Sequence, residues 1–201
     1  MDEWIPAFAG MTRELSGSDR KKVNGCKIIL KFVECKDFNF VKKTRSRGLA
    51  VKSILMVCRG NICRSPMAEG YFQHHIHQSQ SDVYVSSAGI TALIDQPADT
   101  HAIDIMNQYQ IDISKHRARQ ITDEFVRKTD LILVMTESHL NHLLSKFSMA
   151  KGKTFLLGHF QDFEVEDPYM RSSYAFEKTY HQIHIAWQDW KSRIISCSKH
   201  N

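Results

Sequence analysis

Ser53-Ile54-Leu55-Met56-Val57-Cys58-Arg59-Gly60-Asn61-Ile62-Cys63-Arg64-Ser65-Pro66 joins two different patterns in one short run. Its first five residues are mostly apolar and include branched side chains, which predicts a short buried strand. Ser65-Pro66-Met67-Ala68-Glu69-Gly70-Tyr71-Phe72 predicts a helix, with Ser65 as cap, Pro66 at the first helical position and an acid in the first turn. Between them lies a tight loop with a cysteine at one end and an arginine at the other. A loop that feeds a helix N-terminus presents free backbone N–H groups, and the helix dipole favours negative charge there.

That geometry assigns chemistry. Cys58 sits where amides and dipole favour a thiolate. Five residues separate it from Arg64, so the planar fork of the arginine returns over the same cavity to clamp an oxyanion. A thiolate beside a phosphate-shaped cradle implies attack on phosphorus and a phosphocysteine intermediate. Ser65 is placed to donate its hydroxyl to the sulfur, making Cys58 a better leaving group in the second step. Gly60 is expected to give the loop its curvature, and the Asn61 amide to hold its shape. Arg59, Ile62 and Cys63 complete the ring. Arg59 either attracts acidic residues beside the phosphate or faces solvent. Cys63 shares the loop with Cys58, so the two sulfurs are candidates for a protective disulfide; a small packing residue is the alternative.

The run from Cys58 to Glu69, CRGNICRSPMAE, resembles the signature loop of the low-molecular-weight protein tyrosine phosphatases. The resemblance extends over most of residues 53–196 and is nearest to bacterial members associated with polysaccharide export. It implies an α/β three-layer sandwich around a four-stranded parallel sheet of order 2-1-3-4, flavodoxin-like, with no cofactor. It also implies that Ser87 hydrogen-bonds the loop asparagine, Asn61, and that His116 supports the loop through the same residue. One wall of the entrance then falls in the segment from Ile90 to Ala98, where Ala92, Leu93 and Ile94 form an aliphatic surface for a phenyl ring.

The rest of the chain reads as alternating strands and helices. Strands are predicted at Val83–Ser87, at the unbroken apolar run Leu131–Met135, and at Thr154–Leu157. Asp99 is placed to cap a helix whose apolar positions are Ala102, Ile103, Ile105, Met106 and Tyr109. A helix is predicted over Glu137–Leu144. The family usually has an acid just after the third strand; this chain has Thr136, so that carboxylate is absent or replaced. A long final helix, Tyr174 to Ile195, aligns Tyr180, Ile183, Trp187, Trp190 and Ile194 on one core-facing stripe.

Val165-Glu166-Asp167-Pro168-Tyr169 follows the fourth strand. Departure of a tyrosyl oxygen needs a proton, hence a carboxylic acid near the cradle. An Asp-Pro pair alone is a common turn, but its position matches the acid loop of the family. Asp167 is therefore the expected acid, and afterwards the base that activates water. Burial near Tyr169 and a bound dianion would favour its protonated form. Tyr169 is the expected second aromatic wall, and Glu166 the competing acid.

The chain has 201 residues and a net charge of +5. Residues 1–50 contain 11 Lys and Arg against 6 Asp and Glu, whereas residues 51–201 contain 16 of each. The body therefore lacks a general nucleic-acid footprint. No apolar run is long enough to span a bilayer. Five cysteines without framework spacing, and no signal peptide, point to a reducing cytoplasm. Residues 1–50 read as a poorly ordered or non-native extension, with a possible strand at Ile28–Val33 and a basic linker at Lys42–Arg47; residues 51–201 form the phosphatase domain. All 11 histidines follow residue 73. Their helical pairs lack the Cys or acid neighbours of a metal site, so no metal is expected.

The expected activity is hydrolysis of phosphotyrosine in a protein, with a membrane tyrosine autokinase as the partner implied by the resemblance, and a monomer or weak dimer as the working state. Three other readings use the same loop. Arsenate reductases of this fold need further cysteines, and none lies between Arg64 and Ser196. Phosphoarginine phosphatases typically carry Thr where this chain has Ile62. A non-enzymatic anion-binding or redox-sensing module is the third.

Overall fold

The computed structural model describes residues 51–195. The extension expected over residues 1–50, with its strand at Ile28–Val33, lies outside the described residues, as does Cys197. Four strands, β1 (Ser53–Cys58), β2 (Tyr84–Gly89), β3 (Leu131–Val134) and β4 (Thr154–Leu156), form one parallel sheet in the order β2-β1-β3-β4. Among the described residues, four helices lie between the strands, α1 (Arg64–Gln78), α2 (Thr100–Gln108), α3 (Asp123–Lys128) and α4 (Glu137–Lys146), and α5 (Ser173–Ile195) follows β4. The expected order of strands is thus the observed one. A single 3-10 turn, Ser148–Ala150, precedes β4.

The sheet is buried on both faces, which explains why its central strands read as continuous apolar runs. Alternate side chains divide between two cores. Ile54, Met56, Leu131 and Leu133 pack with α1, α2 and α5; Leu55, Val57, Ile132 and Val134 pack with Val126 of α3 and Leu143 of α4. These are the three layers. β1 is central, paired to β2 on one side and β3 on the other, so Cys58 emerges at the carboxyl edge of the sheet, where open α/β sheets bind ligands.

Several boundaries differ from those expected. Helix α1 begins at Arg64, with Cys63 at the cap position and no side-chain cap. Ser65 does not cap it because its hydroxyl is engaged by Asn61 and the Cys58 sulfur. No acid lies in its first turn; Glu69 is one turn further on. Tyr109 ends α2 instead of facing the core, and its ring stacks on Tyr180 with centroids 3.7 Å apart. Helix α3 was not anticipated: it is short, with Val126 its one fully buried residue, and Thr122 caps it. Thr136, read only as a missing acid, caps α4 by accepting from His139 N–H.

The stripe predicted on α5 is the buried one: Tyr180, Ile183, Trp187, Trp190 and Ile194 all lie in the core. Trp187 meets Phe72 of α1 edge to face at 4.8 Å. The Trp190 indole N–H donates to the Leu157 carbonyl at 2.8 Å, pinning α5 over the end of β4, where the segment leading to Asp167 departs. Trp190→Ala should destabilise the protein by about 3–5 kcal/mol, through the lost burial and the cavity left behind. Urea unfolding measures this; a loss below about 1 kcal/mol would contradict the anchoring role.

Candidate active site

The loop between β1 and α1 wraps a cavity of about 280 Å³ whose floor is Cys58, only 2% exposed. Its curvature comes from Asn61, which has φ +58°. Gly60 does not supply it: its φ is not left-handed, and an added Cβ would meet Ile62 and Leu93 at ordinary distances of 3.7 and 3.9 Å. The glycine that matters is Gly89 at the end of β2, where a Cβ would lie 2.7 Å from the Arg59 carbonyl oxygen. Only a bare backbone lets β2 pass that close to the loop.

Asn61 ties the loop to the rest of the molecule. Its Nδ2 donates to Ser65 Oγ at 2.9 Å and to Ser87 Oγ at 2.8 Å, and its Oδ1 accepts from Arg119 N–H at 2.9 Å. His116 Nε2 bonds the Asn61 carbonyl at 2.8 Å. Ser87 in turn donates to Glu69 at 2.5 Å, and Glu69 also faces His116 at 3.7 Å and Arg119 at 3.8 Å. The structure therefore brings Ser87 and His116 to Asn61, as the resemblance implied. Glu69 and Arg119 were missed. Glu69 lies four residues after Ser65, a spacing that puts both on one helix face and was the available signal.

Two donors converge on the Cys58 sulfur. The Asn61 N–H approaches it at 3.3 Å, and Ser65 Oγ lies 2.9 Å away. Because Ser65 Oγ already accepts from Asn61, its own proton is free to point at the sulfur. Around the loop, the backbone N–H groups of Arg59, Gly60, Ile62 and Cys63 meet no acceptor among the described residues. They form a ring of free donors at a helix N-terminus.

Arg64 is buried and closes the cavity. Its Nη1 donates to the Val165 carbonyl at 3.2 Å and its Nη2 to Asp167 Oδ2 at 2.5 Å, while Nε is buried with no partner among the described residues. Asp167 is 46% exposed on its side chain, so the burial expected for it is not found; a cation holds it instead. Its other oxygen accepts from Tyr169 N–H at 3.2 Å. Leu93 and Tyr169 line the cavity walls with Thr91, and Arg59 lines the same cavity with its side chain exposed. Glu166 is turned away, paired with Lys178 at 2.7 Å. Glu164, not singled out beforehand, accepts from Glu137 N–H at 2.7 Å and so occupies the N-terminus of α4.

Cys58 and Cys63 are both buried and not joined in a disulfide. Burial pushes the Cys63 thiol well above its ordinary range, and Asp99 and Cys58 add to the effect. Among the described residues no group of three or more His, Cys, Asp or Glu side chains has the arrangement of a metal site. No described helix is long and apolar enough to cross a membrane.

The profile of the family described as Low molecular weight phosphotyrosine protein phosphatase matches residues 53–198. The chain belongs to this family. It is 42% identical over 144 residues to the probable low molecular weight protein-tyrosine-phosphatase EpsP of Ralstonia nicotianae, a match covering 72% of this chain and 97% of that protein. It is 37% identical over 147 residues to the enzyme Etp of Escherichia coli, covering 73% and 97%. Among solved structures, Vibrio vulnificus Wzb in complex with benzylphosphonate superposes with a TM-score of 0.68 at 37% identity, covering 72% of this chain and 99% of that one.

A further group beneath the acid segment went unread as part of the site. His139, in the first turn of α4, is 9% exposed and its Nδ1 has no partner among the described residues. Burial first, and the Arg64 guanidinium next, lower its pKa from 6.5 to about 4. The folded protein holds this ring neutral while the unfolded chain protonates it below about pH 6.5. Stability present above that pH is therefore lost as pH falls through 6.5 towards 4, by on the order of 2 kcal/mol between pH 8 and pH 5. His139→Asn should remove this component. Urea midpoints at the two pH values test it: the same pH dependence in both proteins would contradict a neutral buried imidazole.

Proposed function

We propose that the chain hydrolyses phosphotyrosine in proteins with Cys58 as nucleophile, Arg64 as phosphate clamp and Asp167 as general acid and base. The observation that carries this reading is a set of donors without acceptors around one sulfur. The free loop amides, the unpartnered Arg64 Nε and the Cys58 sulfur all border a cavity sized for a phosphoryl group on a flat ring. Such preorganised donors stabilise charge that develops on the equatorial oxygens during phosphoryl transfer.

The steps follow from the groups in place. An incoming phosphate dianion competes with Asp167 for Arg64 and takes the guanidinium. The Cys58 thiolate attacks phosphorus in line with the ester oxygen, forming the S–P bond as the P–O bond breaks. Asp167, protonated next to the dianion, gives its proton to the leaving tyrosyl oxygen. Its carboxylate then removes a proton from water, which attacks the phosphocysteine. The S–P bond breaks, and the Ser65 hydroxyl donates a hydrogen bond to the departing sulfur. Leu93 and Tyr169 flank the phenyl ring.

The wider setting rests on the resemblance and on the named relatives. The substrate we assign is a tyrosine-phosphorylated protein in the cytoplasm, a membrane tyrosine autokinase of polysaccharide export being the specific partner, and the working state is a monomer or weak dimer. Residues 51–201 are the phosphatase domain in this reading, supported by a family match that begins at residue 53, and residues 1–50 are an extension outside it.

Purified protein should hydrolyse para-nitrophenyl phosphate and phosphotyrosine peptides, with vanadate inhibiting both. Cys58→Ser should abolish turnover. Asp167→Asn should lower kcat about 10²–10⁴-fold, with the larger loss on esters whose leaving groups are more basic. An unchanged rate in Asp167→Asn would remove it from the mechanism. Preferential hydrolysis of phosphoarginine peptides would overturn the substrate assignment.

A further inference from the structure

Among the described residues, three charged side chains line the cavity: Arg59, Arg64 and Asp167. Arg64 and Asp167 pair with each other at 2.5 Å. The acids next along the chain are also taken, Glu166 by Lys178 and Glu164 by the Glu137 N–H. Arg59 differs. Its carbonyl is fixed by Thr91 N–H at 3.0 Å, so its backbone is held, but its exposed side chain makes no ion pair or hydrogen bond among the described residues. The remaining wall residues, Ile62, Thr91, Leu93 and Tyr169, carry no charge.

From this arrangement we infer that Arg59 selects substrates, favouring phosphotyrosines flanked by an acidic residue. The inference rests on the phosphatase reading of the same cavity. The phosphate is met at the floor by the loop amides and Arg64, so its charge is already matched there. A substrate chain that places its phosphotyrosine in the cavity must run across the mouth, and its next residue is displaced by about 3.8 Å per step. Arg59 follows Cys58 directly and, among the described residues that line the cavity, is the charge without a partner. A guanidinium fork suits a carboxylate, and its desolvation cost is low because it stays partly in water. No carboxylate of the described residues has to be released first. A lysine flanking the phosphotyrosine would meet like charge.

The test uses two phosphopeptides that differ only beside the phosphotyrosine, Glu on both sides in one and Gln in the other. The readout is the ratio of their kcat/KM values, which cancels any change in basal turnover. An exposed pair of this kind should give the acidic peptide an advantage of about threefold to fivefold at low salt, falling towards unity in 1 M salt. Arg59→Ala should bring the ratio to about one, Arg59→Lys should keep most of it, and Arg59→Glu should invert it in favour of the Gln-flanked peptide. A ratio unchanged in Arg59→Ala and Arg59→Glu would overturn the inference, including the case where both peptides slow equally because the side chain serves the phosphate itself. Failure of the wild-type protein to hydrolyse either peptide would instead strike the phosphatase reading.

Discussion

A cradle of backbone amides has to be held open when nothing fills it, and here one asparagine does that. Asn61 takes a left-handed backbone, a conformation that costs a non-glycine residue about 1–2 kcal/mol. The bend turns the loop's N–H groups inward. Both Asn61 amide protons and its oxygen are then used on three separate elements, α1 through Ser65, β2 through Ser87 and the segment before α3 through Arg119. Four bonds, counting His116 on the carbonyl, over-determine a bend that would otherwise relax. Strain of this kind persists only where surrounding structure enforces it, and its return is that the donors need no reorganisation when charge arrives.

The second constraint spans the chain. Arg64 and Asp167 are 103 residues apart in sequence and meet at 2.5 Å. Arg64 is buried and Asp167 is nearly half in water, so solvent screens the carboxylate end of the pair. The segment bearing Asp167 does not depend on that contact. Val165 N–H donates to the Met135 carbonyl at 2.9 Å, Gln182 donates to the Glu164 carbonyl at 3.0 Å, and Lys178 holds Glu166. These ties run to the end of β3 and to α5, both rigid elements. Asp167 is thus presented by a backbone tied on both sides, with a half-exposed side chain, as the proposed two-way proton transfer requires.

The sheet was legible because burial on both faces removes the need for polar alternation, leaving β1 and β3 as plain apolar runs. The α5 stripe was legible because five large side chains recur at helical spacing. Local rules failed where a side chain had been recruited by the site. Ser65 has the composition of a cap, yet its hydroxyl is spent on the sulfur and Asn61. Gly60 has the freedom to bend, yet the bend is at Asn61, since only there does the side chain also brace it. Arg119 gave no pattern of its own, and the spacing of Glu69 from Ser65 showed only a shared helix face, because both roles exist only once β2 and the turn before α3 are brought against α1. Thr136 shows the converse: the missing acid after β3 was visible, but not that a carboxylate from Glu164, far along the chain, occupies the end of α4 instead.

The two cysteines of the loop show how little separation is needed to divide labour. Both lie on one short loop and both are almost fully buried, so a helix N-terminus alone would favour an anion at either. Position decides otherwise. Cys58 ends a strand beneath the loop, where an amide and a hydroxyl aim at its sulfur. Cys63 sits in the helix cap position, where desolvation dominates and Asp99 and the neighbouring sulfur both oppose a charge. Cys63 is thereby kept neutral beside Cys58, and the loop amides between the two meet no acceptor among the described residues.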